Sequence, residues 1–157
     1  MIVAGTGHRP EKVGGHSVEA FAHLCWVAKI GLRELRPSRV ISGMAMGWDQ
    51  ALAVSAIQMG IPVDAYVPFA GQESRWTGLS QMKYESILSG CDSVVTVSPG
   101  GYSREKMQIR NEAMVDACDT VLALWDGSGG GTGNCIRYCE ATNTPYRNMW
   151  DIYSFVI

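Results

Sequence analysis

The strongest chemical signal in the chain is the stretch Asp126-Gly127-Ser128-Gly129-Gly130-Gly131-Thr132-Gly133, five of whose eight residues are glycine. It lies between an apolar run and a helical pattern. Glycines at such a junction permit positive φ and let main-chain N–H groups approach an anion closely. The helix that follows adds the partial positive charge of its N-terminus. Gly129, Gly130, Gly131, Thr132 and Gly133 are therefore expected to cradle an anionic group, Thr132 adding a hydroxyl. The plainer reading is a flexible turn. No Gly-Lys-Ser/Thr follows, so this is not a Walker loop and ATP hydrolysis is not expected.

Three further segments carry candidate chemistry. Gly5-Thr6-Gly7-His8-Arg9-Pro10 closes the first apolar run. Arg9 is suited to a phosphate, and His8 to donating a hydrogen bond or exchanging a proton near neutral pH, although a lone histidine is more often structural. Ser42-Gly43-Met44-Ala45-Met46-Gly47-Trp48-Asp49 is a second glycine loop before a helix. Ser42, Gly43 and Gly47 read as ligand-binding positions. Asp49 reads as a helix cap or as a carboxylate for ribose hydroxyls and acid–base work. Arg110-Asn111 opens the third segment; Arg110, placed near a helix start, would bind phosphate or stabilise developing charge. Its plain reading is a surface ion pair. On a long polar loop, Gln72 and Trp76 could meet a base, the indole by stacking.

Positioning these residues requires a scaffold, and the chain spells one out. Apolar runs at Ile2–Gly5, Arg39–Ser42, Val63–Val67, Ser93–Val97 and Thr120–Trp125 alternate with helical patterns near 18–35, 49–59, 80–89, 104–118 and 134–141. Most of the runs lack polar alternation, which predicts strands buried on both faces, the run at Ser93 included. Residues 146–157 should add a short strand and a tail. Alternating strands and helices predict a three-layer Rossmann-like α/β fold with a mostly parallel sheet flanked by helices. In such sheets ligands bind beyond the carboxyl ends of the strands. Every loop named above follows a strand, so all should converge on one rim.

Composition sets the limits. With 157 residues, 46% of them hydrophobic and 18% charged, the expectation is one domain, residues 1–157, with its own core. The net charge of −2 offers no broad nucleic-acid footprint, although nine of the thirteen basic residues are Arg. The five cysteines form no C-x-x-C pair and point to a reduced setting. Cys135 and Cys139 share a helix face, but the three histidines, His8, His16 and His23, lie far along the chain from them, so a metal site is not expected. No cofactor is implied. Nothing reads as an export signal or membrane span, and a cytoplasmic location is expected.

Taken together, the motifs Thr6-Gly7-His8-Arg9-Pro10, Ser42-Gly43-x-Ala45-x-Gly47-x-Asp49, Arg110-Asn111 through Asp116, Trp125-Asp126-Gly127 and Gly130-Gly131-Thr132 resemble the YpsA branch of the SLOG superfamily, which also holds the DprA and LOG proteins. The resemblance implies a Rossmann-like domain that binds a nucleotide or nucleotide-derived ligand. Members diverge in role. LOG-type relatives cleave the N-glycosidic bond of nucleoside 5′-monophosphates with an Arg and a Glu; Arg110 is similar in place to that Arg. No Glu follows the glycine loop until Glu140, so Asp49, then Asp126, would have to stand in for it. DprA-type relatives bind single-stranded DNA, which the charge balance here disfavours. Paired assembly, common among relatives, could complete a pocket. Three readings follow: a sensor or binding module, a nucleotide N-glycosidase with Arg110 and Asp49 as its catalytic pair, and a single-strand DNA binder.

Overall fold

The structure, a computed structural model, describes residues 1–155. Six strands run in chain order as β1 (Ile2–Gly7), β2 (Arg39–Ser42), β3 (Val63–Val67), β4 (Ser93–Thr96), β5 (Thr120–Leu124) and β6 (Tyr146–Asn148). Six α-helices alternate with them: α1 (Val18–Leu35), α2 (Trp48–Gln58), α3 (Gly78–Ser89), α4 (Arg104–Asp116), α5 (Gly131–Ala141) and α6 (Trp150–Phe155). All neighbouring strands are parallel, in the order β4-β3-β2-β1-β5-β6.

The order reverses between β1 and β5. From β1 the chain builds outward through β2, β3 and β4, then returns to place β5 on the other flank of β1. Loops leaving β1 and β5 therefore part to opposite faces of the sheet, and a crevice opens between them.

Successive residues on the central strands divide two cores. Val3, Val40, Leu122 and Leu124 face α1, α2, α3 and α6, with Leu24, Leu32, Trp48, Leu52 and Tyr153 among their partners. Ala4, Ile41, Val121 and Ala123 face α4 and α5, meeting Met114, Val115, Ile136 and the buried Cys135 and Cys139. Glycine sets how closely α2 can lie on β1. A Cβ at Gly5 would come within 2.4 Å of Leu52 Cδ2, and one at Gly7 within 2.4 Å of the Trp48 ring.

Three expectations need correction. β4 is not buried: all four of its residues are exposed, because it is an edge strand paired only with β3. An apolar run alone does not separate an edge from a centre. α5 begins at Gly131, three residues before the expected Asn134, so Gly131, Thr132 and Gly133 form its first turn. Residues 150–155 form a short helix where a tail was expected; residues 156 and 157 lie outside the described residues.

Candidate functional site

A cleft of about 330 Å³ occupies the crevice at the carboxyl rim. The β1 loop contributes Thr6, Gly7, His8 and Arg9; the start of α5 contributes Gly129 through Thr132; Asp49 comes from α2; Arg110 and Asn111 come from α4. Four chain-distant motifs thus meet at one place.

The α5 terminus is built to be open. α1, α3 and α4 begin on Ser17, Thr77 and Ser103, each accepting a hydrogen bond from an amide of the first turn. α5 begins on Gly130, at φ +116° and ψ −164°, with no side-chain cap. Its leading N–H groups have no partner in their own helix and adjoin the cleft. Side chains here would be in open space, since a Cβ on Gly129, Gly130 or Gly131 meets nothing within 4 Å.

Arg110 is the deep cation. It is the seventh residue of α4, mid-helix rather than near its start, and 4% exposed, so the surface ion-pair reading falls. Nη1 donates to the carbonyls of Gly43 at 2.5 Å and Tyr66 at 3.4 Å, and Nε donates to Asn111 Oδ1 at 3.0 Å. Nη2 has only the Met107 sulfur, at 4.0 Å. Much of the guanidinium is thus spent on fixing the β2 and β3 loops, which leaves the Nη2 edge for the cleft that Arg110 lines.

Asp49 sits opposite, 6% exposed, in the first turn of α2, where Gly47 and not Asp49 holds the cap position. Its Oδ2 accepts from the Ala45 amide at 3.3 Å. Burial pushes its carboxyl up to about 6, against the opposing pull of Arg110 and Arg9. No direct ion pair joins Asp49 to Arg110 among the described residues.

His8 is 5% exposed and tied to the glycine loop. The Asp126 amide donates to His8 Nε2 at 3.0 Å, while Asp126 Oδ1 lies 2.8 Å from the same nitrogen. The amide requires a lone pair there and the carboxylate requires a proton, so the ring tautomer decides which contact is made. Burial lowers the His8 pKa. Asp126 is held far below the usual carboxylate range, chiefly by the Ser128 hydroxyl and then by the Ser128 amide. Lys12 Nζ donates to the same Ser128 Oγ at 2.6 Å, completing a bridge from the β1 loop to the cradle.

Several expected site residues lie outside this cleft. Gly5 is beneath it, packed against Leu52. The Ser42 hydroxyl is an internal brace, donating to the Asp49 carbonyl at 2.8 Å and accepting from the Met44 amide at 3.2 Å. Gly43 serves through its carbonyl, and Gly47, at φ +91°, lets the chain pass close to the His8 carbonyl. A Cβ on Gly133 would approach the Ser128 carbonyl at 2.8 Å, so this glycine is a packing residue. Gln72 and Trp76 line a neighbouring cavity. Four lining residues were not anticipated: Glu11, Lys12, Ala45 and Met107. The one available signal was Lys12, a cation three residues beyond Arg9 on the same loop. No cluster of three or more His, Cys, Asp or Glu suited to a metal is present among the described residues.

A doubly flanked parallel sheet with its cleft at the strand-order reversal defines a Rossmann-like α/β protein. The family model described as the YspA SLOG family (YpsA) matches residues 34–154, and the chain belongs to that family. The uncharacterized SPbeta prophage-derived protein YoqJ of Bacillus subtilis is 31% identical over 131 residues, which is 73% of this chain and 76% of that protein. Among solved structures, DNA processing protein A of Streptococcus pneumoniae aligns with 92% of this chain at a TM-score of 0.66 and 20% identity. The Helicobacter pylori protein of the same name, studied for its single-stranded DNA binding mode, aligns with 93% at 0.65 and 15%. The chain spans only 48% and 63% of those two proteins, respectively, and the likeness to them is one of fold. No described helix is long and apolar enough to cross a membrane.

Proposed function

We propose that the cleft binds the phosphate of a nucleotide or nucleotide-derived ligand, and that the chain acts as a sensor or binding module. The observation that carries this reading is the uncapped start of α5 opening onto a cleft that also holds Arg9, Lys12 and Arg110. Amides at a helix N-terminus and converging cations are complementary to a phosphate dianion. Ligand-binding roles then fall on Thr6, Gly7, His8, Arg9, Asn111 and Gly129 through Thr132. One domain, residues 1–157, suffices for this role. Five free cysteines fit a reduced compartment such as the cytoplasm.

A second reading, hydrolysis of the N-glycosidic bond of a nucleoside 5′-monophosphate, is favoured by Asp49. A buried carboxyl raised to about 6, in the same cleft as Arg110, has the means to steady an oxocarbenium-like transition state or to exchange a proton. Single-strand DNA binding, the property for which the Helicobacter pylori protein was studied, has weaker support here, given the net charge of −2.

One panel separates the three. The full chain is incubated with nucleoside 5′-monophosphates, its melting point is followed, and free base is sought by chromatography. A raised melting point with intact nucleotide supports the binding module. Base release that Asp49→Asn abolishes supports the hydrolase. Affinity only for oligonucleotides, falling steeply with salt, supports the third. No effect of any monophosphate on melting, together with no release of base, would sink the first two.

A further inference from the structure

A second cavity, of about 390 Å³, opens beside the cleft and shares the side chains of Arg9 and Met107 with it. Its other walls come from the β3–α3 loop, with Phe69, Gln72, Arg75 and Trp76, and from Tyr102 before α4. The chemistry changes across the partition. The first compartment presents amides, a carboxyl, the buried Arg110 and the exposed Arg9 and Lys12, whereas the second adds three aromatic rings, Phe69, Trp76 and Tyr102.

Two of those rings have no stacked partner. Trp76 meets Tyr84 at 87°, with centroids 5.3 Å apart, and Tyr102 meets Phe69 at 89° and 6.0 Å. Neither is stacked face to face on another aromatic ring among the described residues. Such faces suit a planar heterocycle.

Gln72 supplies an independent sign. It is 7% exposed, and its Nε2 donates to the Gly43 carbonyl at 3.3 Å and to the Tyr84 hydroxyl at 3.4 Å. A carbonyl can only accept, so Gly43 fixes which way the amide faces. The opposite atom, Gln72 Oε1, receives no donor from any described residue. It is not sealed in, since no described side-chain nitrogen or oxygen is both buried and unpaired. An acceptor on a nine-tenths-buried side chain thus keeps access from outside, on a residue that lines this cavity, and is free to take an N–H from a ligand.

We infer that this cavity receives a second planar ring of the same ligand, an amino-bearing heterocycle lying against Trp76 and Tyr102 with its N–H on Gln72. The inference rests on the phosphate reading of the first cleft. Arg9, on the partition, holds the linkage between the two halves. Each compartment lies at the small end of the range for a single ligand site, so each takes one unit and neither takes two. The ligand class is a pair of nucleoside units joined through phosphates.

Isothermal titration of the full chain with inorganic pyrophosphate, AMP, diadenosine pyrophosphate and the deoxydinucleotide of two adenines tests this. Diadenosine pyrophosphate should bind roughly 10-fold or more tighter than AMP, a gain of the size one aromatic stacking contact supplies. Tyr102→Ala, at an exposed position, and Trp76→Ala should each remove most of that gain while leaving pyrophosphate affinity within about twofold. Pyrophosphate binding with no gain for the dinucleotide overturns this inference alone. Equal weakening of pyrophosphate and dinucleotide by Tyr102→Ala also overturns it. Failure of pyrophosphate to bind the unaltered chain overturns the phosphate reading of the first cleft, and this inference with it. A gain seen only with the deoxydinucleotide of two adenines reassigns the cavity to single-stranded nucleic acid and overturns it as well.

Discussion

Arg110 and Gly43 fit each other as donor and space. The guanidinium reaches the Gly43 carbonyl at 2.5 Å, and the same guanidinium fills the volume that any side chain on Gly43 would need. A Cβ there would stand 2.6 Å from Arg110 Nη1 and 2.7 Å from its Cζ. Gly43→Ala should therefore push the guanidinium off its three oxygen acceptors. The expected cost is about 1–3 kcal/mol in chemical denaturation, with weaker phosphate binding alongside. An unchanged denaturation midpoint and unchanged affinity would show that the pair is not coupled in this way.

Asp49 sets a pH dependence of definite sign. Its carboxyl is raised from 3.8 to about 6 in the folded chain, so folding favours the protonated form. That contribution is fully present below about pH 4 and is lost as pH rises through about 6. The loss is on the order of 3 kcal/mol by pH 7.5. Asp49→Asn, which mimics the protonated carboxyl, should match the parent chain at pH 4 and exceed it in stability at pH 7.5. Urea titrations at the two pH values measure the difference, and equal gains at both would refute the assignment.

Gly131 offers a way to delete one cradle donor without disturbing the helix. It is the first residue of α5, the position at which proline is tolerated best because its missing N–H has no intrahelical acceptor to lose. Gly131→Pro should keep the melting point within a few degrees. It should also weaken pyrophosphate binding about 10-fold, the worth of one charge-assisted hydrogen bond. Retained affinity would mean that this amide does not face the anion.

Ser128 controls the Asp126 carboxylate. Its hydroxyl donates at 2.5 Å and its amide at 2.9 Å to the same Oδ1. Ser128→Ala removes the first of these, and the Asp126 titration followed by carbon-13 resonance should move up toward the ordinary carboxylate range. The Lys12 ammonium loses its partner in the same variant. A titration curve that stays where it was would assign the depression to another group.

The scaffold was readable because burial and punctuation repeat along the chain. Ile2–Gly7 and Thr120–Leu124 are apolar runs stopped by glycine loops, and both are central strands joined in parallel register. The convergence of Thr6 through Arg9 with Gly129 through Thr132 follows from that topology alone. What escaped depended on side-chain reach and strand position. Val94 and Val95 look like core residues, yet they lie exposed on an edge strand. The length of its side chain lets Arg110 serve a rim from mid-helix, which spacing along α4 does not announce. Gln72 and Trp76 follow a strand as expected, but the direction of the β3–α3 loop carries them into the adjoining compartment.

The glycine start of α5 leaves the empty protein with an unfinished helix end. A serine on the extended backbone of an ordinary cap would have made that end self-sufficient, by roughly a few tenths of a kcal/mol over glycine, with the chain's own oxygen in the seat; Gly130, at φ +116°, instead holds a backbone that side chains rarely adopt. On the proposed reading, a bound phosphate would supply the missing partner and complete the secondary structure. Occupancy is then expressed as order at the junction of β5 and α5, and exchange of the amide hydrogens of residues 131–133 with solvent should slow when the seat is taken.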